Sequence, residues 1–337
     1  MPSDPDQMLT AQLRDVSRSF YLTLRVLPAK IRPQIGVAYL LARTTDTIAD
    51  TELVPLKTRL QALQILRDRI LGSQPGSLDF GELARHQGAN PERVLLEKCG
   101  ASLALLESLN PADGQLVRTV LEVITSGQEL DLRRFAAASA EEVVALQSAS
   151  ELDDYTYRVA GCVGEFWTRM CRTHLFPNAL LDEPTLLANA VRFGKGLQLV
   201  NILRDVAADL QHGRCYLPQT ELAPCGLSPK DLFQPKNEQR ARPVYDRWLE
   251  AAEAHLRAGW DYTNMLPRRC VRVRLACAWP LLIGRDTLKL LRARNPFDPR
   301  VRVKITRPRV RAIIFSSVLL YPWSSAWKSL YSSSEPG

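Results

Sequence analysis

Apolar residues recur at intervals of three and four along most of this 337-residue chain, and this spacing constrains the fold more than any other feature. Alternating runs of β-branched residues, which mark half-buried strands, are rare. The sequence therefore predicts an all-α fold, a single-domain helical architecture around a central cavity. The predicted helices are 6–28, 34–51, 55–72, 93–108, 113–137, 140–147, 151–174, 185–211, 239–265, 268–293 and 306–319.

The later of two aspartate pairs lies in a predicted helix that is apolar around most of its circumference. In "DVAAD" the pair is Asp205 and Asp209, and both share one helical face with Gln198 and Asn201. Leu, Ile, Val and Ala occupy nearly all remaining positions, with Arg204 as the main exception. A surface helix has a broad polar face, whereas this one has a narrow polar stripe. We expect a buried helix whose stripe lines a cavity.

The earlier pair, Asp46 and Asp50 in "DTIAD", follows the same helical line as Ile35, Tyr39 and Ala42. These carboxylates therefore lie on the apolar side of their helix. Like charges four residues apart repel each other, and loss of water adds a further cost. A Mg²⁺ ion relieves both effects, because it binds one or two carboxylates together with phosphate oxygens and water.

Three interpretations of the two pairs remain open from the residues alone. An isolated Asp-x-x-x-Asp is common on solvated helix surfaces. A di-iron bundle requires Glu-x-x-His pairs, and none of the four histidines has a Glu three residues before it. Two pairs, with Arg43 and Arg204 beside them, favour Mg²⁺ and a diphosphate held by guanidinium groups. An apolar cavity would suit a hydrocarbon tail and would shield a carbocation from water.

Composition narrows the class of partner. The formal charge of +8 and the pI of about 9.2 favour anionic partners, such as phosphates or an acidic membrane surface. No run of five Lys or Arg and no zinc-finger spacing occurs, so nucleic-acid binding is not expected. Seven cysteines without a CxxC motif make a disulfide framework unexpected and indicate a reducing compartment.

Targeting signals are weak in this sequence. The N-terminal "MPSDPDQMLTAQLRD" has no apolar core of the kind that signal peptides contain. No apolar run reaches the roughly 20 residues that span a bilayer. We expect a cytoplasmic monomer. The segment "AIIFSSVLLYPW" at 312–323 forms either a core helix or a peripheral contact with the inner face of a membrane, together with Trp323 and Trp327.

The motifs in order resemble those of the squalene and phytoene synthase family, over about residues 10–310. "SRSF" at 17–20 is similar to the opening motif of the family, and "YLLARTTDTIAD" at 39–50 to its first aspartate-rich helix. "YTYRVAG" at 155–161 resembles its central tyrosine helix. "LVNILRDVAADLQHGRCYLP" at 199–218 resembles its second aspartate-rich helix and exit loop. The family fold is all-α, of the isoprenoid synthase type.

The resemblance implies a role for each matching residue. Mg²⁺ would be held against the diphosphates by the four aspartates, which are Asp46, Asp50, Asp205 and Asp209. Tyr155 would transfer a proton or orient the departing diphosphate. The other implied substrate-binding residues are Ser17, Arg18, Ser19, Tyr39, Arg43, Gln198, Asn201 and Arg214.

The resemblance also implies a reaction. We expect two farnesyl diphosphates to condense to presqualene diphosphate and to be reduced to squalene with NADPH. "VRVKITRPR" at 301–309 resembles the cofactor-binding stretch of squalene synthases, with Lys304 and Arg307 as the contacts. The alternatives are a phytoene or dehydrosqualene synthase, a presqualene diphosphate or hydroxysqualene synthase without reduction, and a non-catalytic assembly protein. We expect a synthase domain over 1–310 and a C-terminal helix with a polar tail over 311–337.

Overall fold

A computed structural model describes residues 20–73, 78–139 and 141–332 of the chain. Helices dominate these residues, and the two strands, Val144–Ala145 (β1) and Arg214–Cys215 (β2), are two residues long. They pair in parallel, with Val144 opposite Arg214. The predicted all-α fold is confirmed.

The chain forms two compact units. The described part of the first comprises 20–73, 78–136 and 166–178; the second comprises 137–139, 141–165 and 179–332. The helix Cys162–Leu175 (α9) begins in the second unit and ends in the first. The remaining helices of the first unit are Phe20–Val26 (α1), Arg32–Ala49 (α2), Leu56–Leu71 (α3), Gly81–Arg85 (α4), Asn90–Glu97 (α5), Cys99–Glu107 (α6) and Pro111–Arg134 (α7).

Helix α7 is the longest in the first unit, and its sequence explains both where it begins and which face it buries. The side chain of Asn110 accepts a hydrogen bond from the backbone N–H of Asp113, and Pro111 occupies the first turn, where no donor is lost. Val117, Leu121 and other apolar residues one turn apart are buried. The pattern places α7 against α2 and α3 in the core of this unit.

The second unit is built around one 29-residue helix, Glu183–Gln211 (α10). Its longest neighbour is Glu238–Met265 (α12), and the fully buried Tyr245 on α12 donates a hydrogen bond to the backbone oxygen of Leu203, at 2.8 Å. The other helices described in this unit are Ala149–Thr156 (α8), the π-helix Tyr157–Gly161, Gln219–Leu222 (α11), Val271–Arg292 (α13), Arg307–Leu320 (α14) and Ser324–Ser332 (α15), together with the short 3-10 helices Ala223–Cys225, Pro229–Phe233 and Pro235–Asn237.

The prediction of a helix over 140–147 is wrong. Strand β1 occupies 144–145 instead, because the backbone N–H of Val144 donates to the oxygen of Gly213 and that of Leu146 donates to the oxygen of Cys215. Gly213 has a φ of +73°, and a Cβ there would lie 2.2 Å from the backbone oxygen of Ser139. Only glycine permits this close approach, so the pairing depends on a contact distant in sequence.

The helix predicted over 306–319 is α14, which ends at Leu320, and a second helix, α15, begins at Ser324. Trp327 on α15 is 2% exposed and stacks on Trp260 of α12, at 5.2 Å between ring centroids. The prediction that Trp327 contacts a membrane is therefore wrong, because its ring lies in the core of the second unit. None of the helices in the described ranges has both the length and the apolar character to cross a bilayer.

Candidate functional site

Asp46 lies in the last turn of α2, within reach of a cation and an amide. Nε2 of Gln128 on α7 donates a hydrogen bond to its Oδ1. Nη1 of Arg43 lies 4.0 Å from its Oδ2, while Nη2 of Arg43 donates to Glu92 at 2.9 Å. Solvent still reaches 47% of the Asp46 side chain, so an ion can approach it.

The environment of Asp46 disfavours its negative charge. Protein packed around the Asp46 carboxyl, although it leaves 47% of the side chain open to solvent, removes part of its hydration and, with the charge of Asp50 as the next cause, raises the pKa of Asp46 to about 6, against the lowering effects of Arg43 and Gln128. Asp50 is the first residue after α2, and its backbone N–H donates to the oxygen of Asp46 at 2.8 Å. Both carboxylates therefore stand at a helix C-terminus, where the partial charge of the backbone is already negative. This site needs an added cation more than an isolated aspartate does.

Gln128, which the sequence did not single out, contacts Asp46 directly. It is 6% exposed, and among the described residues no donor reaches its Oε1. A buried amide oxygen beside a carboxylate is a further oxygen ligand of the kind that Mg²⁺ or its bound water accepts. The signal in the sequence was a polar residue in line with Leu121 and Ile124, on the buried side of α7.

The second pair lies in the last two turns of α10, which ends at Gln211. Arg204 donates to Asp205 through two bonds, from Nε at 2.9 Å and from Nη2 at 2.6 Å. Asp205 and, more weakly, Asp209 raise the pKa of Arg204. Asp209 lies in the last turn, at the negative end of the helix, and Asp205 lies one turn earlier on the same face.

The polar stripe of α10 is more exposed than the sequence predicts. Asn201 is exposed, while Gln198, Asp205 and Asp209 are half-buried. Burial concentrates on the opposite face, at Leu199, Val200, Ile202, Leu203, Val206 and Leu210. On α2, Tyr39 is half-buried. The stripe thus keeps its polar atoms accessible to a ligand.

Tyr155, on α8, is buried and stacks on Tyr216, with 5.1 Å between ring centroids and 25° between ring planes. Tyr216 directly follows β2, so the pairing of β1 with β2 brings the segment after α10 next to Tyr155. Arg214 is half-buried and is itself a residue of β2. The structure therefore gathers Tyr155, Tyr216 and Arg214 in one unit. Tyr216 was not predicted as a site residue, although it stands in the exit-loop motif.

Two glycines allow the π-helix and the start of α9 to pack closely against α10. A Cβ at Gly164, in the first turn of α9, would lie 2.0 Å from the backbone oxygen of Ala190. A Cβ at Gly194 would lie 2.1 Å from the oxygen of Ala160, in the π-helix. π-Helical turns are rare and occur often at functional sites. Here the π-helix joins α8, which carries Tyr155, to the start of α9. Its backbone packs directly against α10, the helix that carries Asp205.

The remaining predicted residues either lie outside the described ranges or are exposed on the surface of the second unit. Ser17, Arg18 and Ser19 lie outside the described residues. Lys304 is exposed in the segment before α14, and Arg307 is the exposed first residue of α14.

The donor chemistry of each aspartate pair fits Mg²⁺. A hard divalent cation requires oxygen ligands on side chains that solvent can reach, and the carboxylates of both pairs meet this requirement. In the described ranges no group of three or more His, Cys, Asp and Glu side chains is arranged to hold a metal ion. Each pair alone provides the one or two carboxylates that Mg²⁺ takes from a protein when phosphates and water complete its shell.

Residues 13–309 match the sequence profile of the family described as squalene/phytoene synthase. This chain belongs to the squalene/phytoene synthase family. Members of the family join prenyl diphosphates head to head and use Mg²⁺ to bind them. The chain is accordingly a prenyltransferase-type enzyme of isoprenoid biosynthesis.

Relatives of this chain differ in their products. A presqualene diphosphate synthase of Rhodopseudomonas palustris is 30% identical over 305 residues, which cover 90% of this chain and 93% of the relative. The squalene synthase of Schizosaccharomyces pombe is 28% identical, covering 92% of this chain and 64% of its own length. A 15-cis-phytoene synthase of Synechococcus elongatus is 28% identical, covering 83% and 81%.

Solved structures agree on the fold. A complex of TcSQS with the ligand E5700 superposes with a TM-score of 0.76 at 22% identity, covering 93% of this chain and 86% of that one. Squalene synthase HpnC from Alicyclobacillus acidocaldarius has a TM-score of 0.61 at 18% identity, covering 88% and 95%.

Proposed function

We propose that this synthase condenses two farnesyl diphosphates to presqualene diphosphate and then reduces that product to squalene with NADPH. The observation that carries the proposal is the pair of Asp-x-x-x-Asp motifs, each at a helix C-terminus with an arginine beside it. Carboxylates are unfavourable at that end of a helix, so their presence at two such ends supports cation binding.

The four aspartates would hold the metal. In the first unit these are Asp46 and Asp50, and in the second unit Asp205 and Asp209. Bound Mg²⁺ would neutralise the charge on a departing diphosphate. Gln128 would keep the Asp46 carboxylate ionised and fixed in direction, since its hydrogen bond favours the charged form.

Cationic and polar side chains would bind the substrates. Arg43 and Arg214 would donate to phosphate oxygens, because guanidinium groups bind phosphate through paired N–H bonds. By resemblance alone, Ser17, Arg18 and Ser19 would contact the same phosphates. Gln198, Asn201 and Tyr39 would line the remainder of the pocket.

Tyr155 would act at the reacting carbons. Its stack on Tyr216 restricts the ring to one plane, so the hydroxyl is held in one direction. A phenol fixed in this way suits proton transfer or orientation of the departing diphosphate. We assign Tyr155 the proton loss that accompanies closure of the cyclopropane ring.

Lys304 and Arg307 would bind NADPH. Both are exposed cations, and NADPH carries phosphate groups that lysine and arginine recognise. The stretch "VRVKITRPR" that contains them supports the reductive step, since it resembles the cofactor-binding stretch of squalene synthases.

A second candidate function is condensation without reduction. The 30% identical relative from Rhodopseudomonas palustris is a presqualene diphosphate synthase, and its alignment covers nearly the full length of both chains. In this alternative the enzyme releases presqualene diphosphate, and Lys304 and Arg307 are solvated surface charges. The cytoplasmic location and the monomeric state stay predictions.

One incubation series separates the candidates. The purified protein is given farnesyl diphosphate and Mg²⁺, with and without NADPH, and the lipid products are identified by mass spectrometry. Squalene that forms only with NADPH supports the first proposal. Presqualene diphosphate in both arms supports the second candidate.

Two further arms test the substrate and the class of protein. Geranylgeranyl diphosphate that yields phytoene would contradict both farnesyl candidates. Absence of Mg²⁺-dependent pyrophosphate release from either substrate would favour a non-catalytic assembly protein. The Asp205→Asn variant serves as the control for background hydrolysis.

A further inference from the structure

The second unit presents a compact apolar patch on its surface. We define the outer patch as Phe315, Val318 and Leu319 on α14, with Trp323 in the turn that follows. Their exposed fractions are 68%, 51%, 52% and 58%. Contiguous exposed apolar side chains, unlike single ones, mark interaction surfaces.

The outer patch lies opposite the packed face of its helix. Ile313 and Ser317 of α14 are buried, and Phe315 is turned about 200° from Ile313 at 100° per residue. Apolar residues therefore occupy both the inward and the outward side of α14. A helix with this distribution contacts protein on one side and needs a second apolar environment on the other.

Polar contacts hold α14 in this orientation. Nε1 of Trp279 donates to Oγ of Ser317 at 2.9 Å, and Arg309 donates to the buried Asp286 at 2.7 Å. These bonds join α14 to α13, so the outward direction of the patch is specified by the fold and does not result from a frayed end.

The turn that carries Trp323 is held in the same way. Nη2 of Arg268 donates to the oxygen of Pro322 at 2.9 Å, and the hydroxyl of Tyr321 donates to the oxygen of Arg268 at 2.6 Å. The indole of Trp323 therefore projects from an anchored turn.

Positive charge is concentrated in the segment of the chain that carries the outer patch. Residues 299–332 contain no Asp or Glu and seven basic residues: Arg300, Arg302, Lys304, Arg307, Arg309, Arg311 and Lys328. Arg300 and Arg309 are paired with Asp298 and Asp286. Arg311 is exposed one turn before Phe315 on the same face, and Lys328 is exposed on α15.

We propose that the outer patch docks this protein on an anionic lipid bilayer surface. Aromatic and aliphatic side chains beside Lys and Arg are typical of helices that lie in the plane of the membrane interface. Tryptophan favours this boundary, and basic residues are attracted to anionic headgroups. A second copy of this chain fits less well, because a two-fold contact would bring the same basic segments together.

Vesicle sedimentation tests the proposal without relying on catalysis. The full-length protein is mixed with vesicles of phosphatidylcholine, with or without phosphatidylglycerol, and bound protein is measured at low and high salt. The variants are Phe315→Ser/Trp323→Ser, which removes the apolar anchors, and Arg311→Glu, which reverses one charge. The matched control is Leu53→Ser/Leu180→Ser, since both leucines are exposed elsewhere on the surface.

We expect binding to the anionic vesicles that weakens with salt. The double patch variant should lower the partition coefficient by about a hundredfold or more, from the loss of two buried side chains. Arg311→Glu should lower it by about tenfold or more. The leucine control should bind as the unchanged protein does. All five side chains concerned are exposed, so these variants should retain the thermal unfolding temperature.

Three outcomes would overturn the proposal. The first is absence of binding to anionic vesicles. The second is equal binding by the patch variant and the leucine control. The third is a dimer, seen by light scattering, that Phe315→Ser/Trp323→Ser dissociates, because this would assign the patch to a second copy.

Discussion

Gln128 donates a hydrogen bond to Asp46 across 82 residues of sequence, and so connects the C-terminal half of α7 with the last turn of α2. The bond favours the ionised form of a carboxylate that burial and Asp50 push toward protonation. It also leaves the Gln128 Oε1 buried beside the pair. An amide in this position both keeps Asp46 charged and restricts its direction.

Replacing Gln128 should therefore weaken the response to Mg²⁺. In Gln128→Leu we expect the Mg²⁺ concentration for half-maximal turnover to rise by about tenfold, since one charge-stabilising bond is lost. The free energy of unfolding should fall by no more than about 1 kcal/mol, as a buried amide with an unsatisfied oxygen is removed. Titration of turnover with Mg²⁺ measures the first effect and urea unfolding the second. Gln115→Leu, exposed on the same helix, should leave the Mg²⁺ titration unchanged; equal behaviour of both variants would contradict the role of Gln128.

Removing one charge from the second pair should abolish turnover. In Asp205→Asn we expect pyrophosphate release from farnesyl diphosphate to fall by at least about a hundredfold, because a metal ligand and its charge are lost. The matched control is Asp154→Asn. Both aspartates accept a hydrogen bond from an arginine, and their side chains are 46% and 44% exposed. Similar losses of pyrophosphate release in the two variants would contradict a specific role of Asp205 as a metal ligand.

Tyr155→Phe should affect chemistry and leave folding intact. The ring that stacks on Tyr216 is retained, so the midpoint of thermal unfolding should stay within a few degrees. Formation of the cyclopropyl product should fall by about a hundredfold, which is typical for loss of a positioned acid–base group. Tyr157→Phe, two residues later in the π-helix, provides the comparison. If Tyr155→Phe makes presqualene diphosphate at the normal rate, its hydroxyl has no part in the reaction.

Gly164→Ala should destabilise the second unit. The new Cβ would lie 2.0 Å from the backbone oxygen of Ala190, so α9 and α10 must separate. We expect the free energy of unfolding to fall by about 3 kcal/mol, the upper range for overpacking. Gly100→Ala in α6, where nothing lies within 4 Å, should instead gain about 0.5–1 kcal/mol from helix propensity. Chemical denaturation of both variants checks the contrast, which would disappear if the close helix contact did not exist.

A buried carboxylate in the first unit should make stability depend on acid pH. Asp113 accepts hydrogen bonds from Gln34, Asn110 and His174, at 2.8, 2.6 and 2.8 Å. Burial raises the pKa of Asp113, but these bonds outweigh it and hold the pKa below the ordinary value of 3.8. The folded state therefore binds the proton less readily than the unfolded state. Its contribution is present above pH 3.8 and is lost as the pH falls below that value.

Comparison with Asp113→Asn isolates this contribution. At neutral pH the variant should be less stable by about 2 kcal/mol, the scale of hydrogen bonds to a charged group. The difference in free energy of unfolding should shrink as the pH falls below 3.8. Urea unfolding of both proteins over a pH series measures it. A difference that stays constant or grows in acid would show that the charge of Asp113 does not stabilise the fold.

The sequence by itself determined the fold class, the approximate helix ends and the positions of the two aspartate pairs. Helical periodicity predicts the all-α fold, and most helix ends are within a few residues of the structure because caps and prolines are local signals. The two aspartate pairs stand out because charges on an apolar helical face violate the pattern around them. Four ordered motifs then identify the family.

Tertiary structure decided which distant groups meet. Gln128 is one polar residue in an apolar stripe, and only the packing of α7 on α2 brings it to Asp46. Tyr216 reaches Tyr155 through a two-residue parallel pairing that no local periodicity predicts, and this pairing also replaced the helix expected over 140–147. Trp323 and Trp327 are four residues apart in a segment of mixed polar and apolar residues, yet Trp323 is exposed and Trp327 is buried. Periodicity reports which residues share a face of one element, whereas burial depends on which element packs against that face.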